Sequence, residues 1–178
     1  NTVTLSDEAG VDDIWNEREL GELKSDLGAT SLVFNLAGDE PRLVKLFTSD
    51  AFTELVASDP TYAQRLVYLG QRSAELRARF STVAFPEEIV FDPEARNDPT
   101  HDKIRGVVMP HFQQACSLAD LGSDDAARYG LTAPHAVNLA IKLAELLDRL
   151  HNHAWRLVVC DLSPNNILIS DDFNDVFL

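Results

Sequence analysis

Two short apolar runs, Leu157-Val-Val159 and Ile167-Leu-Ile169, bracket the polar segment Cys160-Asp161-Leu-Ser-Pro-Asn-Asn166 near the end of the chain. Buried strands on either side would hold a loop whose carboxylate, on Asp161, and amide, on Asn166, reach into one small volume. A carboxylate so placed can orient a hydroxyl and accept its proton, while the amide oxygen suits a hard divalent cation such as Mg²⁺. Asp and Asn also close turns by bonding their own backbone, so capping is the alternative role for the same pair.

The rest of the sequence reads as an ordinary globular domain. Its 178 residues are 45% hydrophobic and 25% charged, with no low-complexity tract, which is enough to build a core. Fifteen Lys and Arg against 29 Asp and Glu leave a net charge of −14, so a general nucleic-acid backbone binder, which needs clustered cations, is not expected. No apolar run approaches the roughly 20 residues that cross a bilayer, and no membrane helix is expected. The opening Asn1–Gly10 lacks the basic start and apolar centre of a secretory signal, although the chain does not begin with Met. Cys116 and Cys160 have no zinc-ligand spacing and cannot build a disulfide framework, which points to a reducing cytoplasm.

Along the chain, Asn1–Leu20 is polar and acidic and reads as an arm or short helix ahead of the domain. Ser31–Leu36 and Arg42–Phe47, apolar and β-branched around Gly38-Asp-Glu-Pro41, predict a hairpin. Asp50–Ser58 and Thr61–Phe80 predict two helices parted at Asp59-Pro60, the second a single amphipathic helix with Leu66, Leu69, Leu76 and Phe80 on its apolar stripe. Val83–Phe91 and Ile104–Met109 follow as strands joined by the polar loop Asp92–Lys103. A short helix near Ser117–Leu121 precedes a strong one from Pro134 to about His151. Thr132 can cap the latter, and Val137, Ala140, Ile141, Ala144, Leu147 and Leu150 supply its apolar spacing. Asp171–Asp175 predicts a hairpin turn before Val176–Leu178. His151 and His153 lie at a helix end without a third ligand, so a favourable helix-end charge is their expected role. The layout is α+β, a small antiparallel β half followed by a mostly helical half with a cleft between them.

The spacing from Asp161 to Asn166 before an apolar triplet resembles the catalytic loop of the protein-kinase-like superfamily. Other segments follow in that family's order. Gly28-Ala-Thr-Ser-Leu-Val33 resembles a reduced glycine-rich phosphate loop, and Lys45 in Leu43-Val-Lys-Leu-Phe47 resembles the strand lysine on the α- and β-phosphates. Val107-Val-Met-Pro-His-Phe112 is similar to the strand entering the hinge, Ser117–Leu121 to the short helix beyond it, and the Pro134 helix to the one before the catalytic loop. The resemblance covers nearly all of 20–178. It implies an arm over 1–20, a first lobe over 21–111 with a helical insertion, and part of a second lobe over 112–178. It also implies ATP and Mg²⁺ as cofactors. Asp161 would be the base, Asn166 a metal ligand, and Lys45 with a helical glutamate would hold the phosphates. Because that glutamate precedes a Pro such as Pro86, Glu75 is favoured over Glu54. Adenine would lie between Val33 and Ile167 or Leu168, with Met109 behind it. The Pro110 carbonyl and the Phe112 amide would bond its edge, and Gly28 and Ser31 would lie over the phosphates.

Departures from the family pattern bear on activity. Of the loop glycines only Gly28 is kept, with Asp26 and Ser31 at the other places. Val159-Cys160 replaces the His-Arg before the base, which removes the partner of a phosphorylated activation loop. Ser163 replaces a Lys, so it offers the transferring phosphoryl group a hydrogen bond but no charge. The Asp that would hold the main Mg²⁺ is expected just beyond Leu178, and Asp171, Asp172 and Asp175 are expected to be solvated. The helix from Pro134 should then expose part of its apolar face until the rest of a longer chain, or a second chain, completes the lobe. The resemblance implies a phosphotransferase to an alcohol group, and Pro164 after Leu-Ser favours protein Ser or Thr over a small alcohol. The alternatives are a pseudokinase or scaffold, and a fragment that binds nothing alone.

Overall fold

A computed structural model describes residues 2–6, 15–28, 31–92, 103–122 and 130–178. The chain forms two compact units, Asn1–His111 and Phe112–Leu178.

The first unit is built on six antiparallel strands: β1 Thr2–Ser6, β2 Trp15–Gly28, β3 Ser31–Leu36, β4 Arg42–Phe47, β5 Glu88–Phe91 and β6 Ile104–Pro110. Their order is β1-β2-β3-β4-β6-β5, and β1 also pairs with β5, which closes the sheet into a barrel. Within the expected arm or short helix, Thr2–Ser6 and the start of β2 from Trp15 are therefore strand, in keeping with the β-branched Thr2, Val3 and Thr4. The long β2 shifts register three times against β3, and such irregularities bend a strand enough to let a sheet curl.

The β3–β4 hairpin forms as the turn residues predict. After it, α1 Ser49–Ser58, α2 Tyr62–Gly70 and α3 Ser73–Arg79 follow. The expected single helix over Thr61–Phe80 is thus two helices. Gly70 is a poor helix residue packed close to Ile89, and the Arg72 amide turns back early onto the Leu69 carbonyl at 3.0 Å. Phe52, Ala63 and Leu66 from the helices pack on Ile89, Phe91, Ile104 and Val107, with Phe47 stacked on Phe52 at 5.3 Å. The other face of the same strands buries Leu36, Val44, Val90 and Val108.

In the second unit, β7 Ala115–Ser117, β8 Leu168–Ser170 and β9 Val176–Phe177 form an antiparallel sheet with α4 Leu118–Leu121 and α5 Ala133–His151. The N-terminus of α5 is closed reciprocally: Thr132 Oγ1 accepts from the His135 amide and His135 Nδ1 accepts from the Thr132 amide, with Pro134 in the first turn. Leu139, Leu146 and Leu150 are its buried residues, whereas Val137 is 61% and Ile141 53% exposed. Apolar residues cover more than half the circumference of α5, so periodicity alone could not choose the face the core takes. Leu157–Val159 is not a strand. The Leu157 amide bonds the Leu150 carbonyl at 3.1 Å and Val158 is exposed. The Asp171–Asp175 turn joins β8 to β9 as expected, with Phe173 tucked into the core at φ 56°. No described helix is long and apolar enough to cross a membrane.

Candidate functional site

Asp161 follows the turn that leaves α5 and is exposed, as is Asn166. Between them a short 3-10 turn, Pro164–Asn166, brings the chain back on itself, the Asn166 amide bonding the Ser163 carbonyl at 2.9 Å. Asp161 Oδ1 accepts from the Ser163 amide at 3.1 Å, and Asp161 Oδ2 accepts from Asn166 Nδ2 at 2.8 Å. The first bond is the local turn closure that capping would give. The second joins the two side chains, and it uses the nitrogen of the Asn166 amide, so the amide oxygen points elsewhere. Beyond the loop, Ile167 is buried in the core of the second unit, and its carbonyl accepts from the Leu118 amide at 2.8 Å. An exposed polar loop is thus anchored immediately at its C-terminal end. A carboxylate and an amide oxygen are both hard donors of the kind Mg²⁺ prefers, but here it is the amide nitrogen that faces the Asp161 carboxylate. Among the described residues no cluster of three or more His, Cys, Asp or Glu forms a full cage.

Lys45 lies in the middle of β4, opposite Val33 on one side and Val107 on the other. Because directly paired residues share a face and Val107 packs under α1 and α2, Lys45 is on the helix-covered face of the sheet. It is half-buried, and among the described residues no ion pair joins it to a carboxylate. Glu75, the favoured partner, is in the first turn of α3 with its side chain 49% exposed, 3.6 Å from Arg79. Glu54 on α1 is exposed too. The inward position of α3 belongs to Leu76, which is 0% exposed. One residue is about 100° around a helix, so burying Leu76 turns Glu75 to solvent.

The remaining expected ligand residues divide between the units. In the first, Gly28 pairs with the buried Ser31, and Val33 is half-buried. Met109 packs against the helix-covered core, and Pro110 pairs with Arg42 at the end of β6. In the second, Phe112 stacks on Phe177 at 4.4 Å, and Leu168 sits half-buried in β8 between Ser117 and Phe177. Since Ile167 is committed to the core, Leu168 is the one of the two that keeps exposed surface.

No family model matches the chain. No curated protein matches it either. Among solved structures it is similar to the kinase domain of a specific rhoptry antigen from Toxoplasma gondii, with a TM-score of 0.60 and 18% identity, over 100% of this chain and 52% of that one. It is also similar to a rhoptry kinase from Toxoplasma gondii, with a TM-score of 0.56 and 18% identity, over 100% of this chain and 49% of that one. The chain has a protein-kinase-like fold. It spans about half the length of the kinase structures it matches.

Within this kinase-like fold, the acidic turn after the Asp161 loop is occupied by its own bonds. Asp172 accepts from Ser170 Oγ at 2.6 Å and from the Asn174 amide and Nδ2, which hold its carboxyl down at about 2. Asp175 lies 3.6 Å from Lys142, and the Asp171 amide bonds the Gln114 carbonyl. Two features escaped the sequence reading. Arg42 and Glu88 form a largely buried ion pair across the first unit. Gly106 in β6 lies against the backbone of Lys45. A glycine inside a strand, here between Arg105 and Val107, signals such close approach and could have been found. The ion pair, between residues far apart in sequence, left no local signal.

Proposed function

We propose that this chain is part of an ATP-dependent phosphotransferase acting on the hydroxyl of a protein Ser or Thr. The observation that carries the reading is the Asp161–Asn166 contact at 2.8 Å, which holds a carboxylate beside an amide whose oxygen is left for a cation. In this reading Asp161 orients the acceptor hydroxyl and takes its proton, and Asn166 offers its oxygen to Mg²⁺. Lys45 places an ammonium on the phosphates, and Ser163 donates a hydrogen bond to the transferred group. Mg-ATP, when bound, supplies the phosphoryl group and the charge that offsets its oxygens. The experiment uses the full-length protein: melting is followed with and without Mg-ATP, and transfer to a Ser/Thr peptide mixture is measured for the unaltered protein, Lys45→Ala and Asp161→Ala. A ligand at 100 times its dissociation constant should add about 2.7 kcal/mol of stability. Transfer that survives Asp161→Ala overturns the assignment.

A second reading, a pseudokinase that binds nucleotide or protein without transfer, draws on one observation. Leu76 occupies the inward position of α3 and Glu75 pairs with Arg79, so among the described residues no helical carboxylate is paired with Lys45. Nucleotide binding with no transfer in the unaltered protein would favour it.

A further inference from the structure

We draw no further inference here: the strongest candidate, the exposed apolar face of α5 around Val137 and Ile141 in the second unit, carries nothing because nothing in the structure shows what covers it.

Discussion

Gly106 lies directly against Lys45: a Cβ added at Gly106 would sit 2.2 Å from the Lys45 carbonyl oxygen and 3.0 Å from the Leu46 Cα. Both are backbone atoms and cannot step aside as a flexible side chain would. The strand that carries the lysine is therefore set at its depth by a missing side chain on its neighbour. Gly106→Ala should destabilise the first unit by about 1–3 kcal/mol, the usual cost of overpacking. Gly122, whose added Cβ would be 3.5 Å from its nearest neighbours, is the control, and Gly122→Ala should be close to neutral. Chemical denaturation of both variants decides it, and equal midpoints would contradict the packing argument.

The α3 helix allows the two roles of its neighbouring residues to be separated. Leu76→Ala removes a fully buried side chain and should cost about 2–5 kcal/mol. Glu75→Ala removes only an exposed pair with Arg79 and should change stability by less than about 1 kcal/mol. If Glu75 stays on the solvent side when nucleotide binds, Glu75→Ala will leave the ATP-induced melting shift unchanged. A lost shift would mean that Glu75 turns inward to Lys45.

Asn166→Ala deletes the bond to Asp161 Oδ2 but leaves the Ser163 amide on Oδ1. Because the loop is exposed, the expected loss of stability is small, about 0.5–1.5 kcal/mol. Phosphoryl transfer by the full-length protein should fall much further, and higher Mg²⁺ should recover part of it if the amide oxygen is a metal ligand. Transfer that is unaffected by the substitution would leave Asn166 a turn residue only.

Acid should loosen the β8–β9 hairpin over a defined window. The hydrogen bonds from Ser170 and Asn174 favour the ionised Asp172, so its folded-state value of about 2 lies below the ordinary 3.8. The stability this contributes is fully present above pH 3.8 and is lost as pH falls through about 2. Asp172→Asn should flatten the dependence of melting temperature on pH within that window. An unchanged slope would show that the bonds do not hold in solution.

Local signals were legible in the sequence where they were self-contained. The Gly38–Pro41 turn marked the β3–β4 hairpin, Thr132 and Pro134 marked the start of α5, and the spacing of Asp161 and Asn166 marked a loop that does bring the two together. What failed depended on partners distant in sequence. The strand at Thr2–Ser6 exists because β2 and β5 flank it, which its polarity did not reveal. The choice between Leu76 and Glu75 as the inward residue of α3 is a matter of one position. The core buries Leu76, as its place on the apolar stripe predicts, whereas distance from Pro86 separated Glu75 from Glu54 without telling which way Glu75 would face. On α5, too many apolar residues were available for the stripe to name its own buried side.

Closure of the barrel by β1 has a practical consequence for handling the protein. With Thr2–Ser6 in place, both β2 and β5 have their backbone groups occupied along that stretch. Trimming the first fourteen residues in a recombinant version would bare two neighbouring ribbons of unpaired amides and carbonyls at once, a template on which separate molecules could zip together and come out of solution.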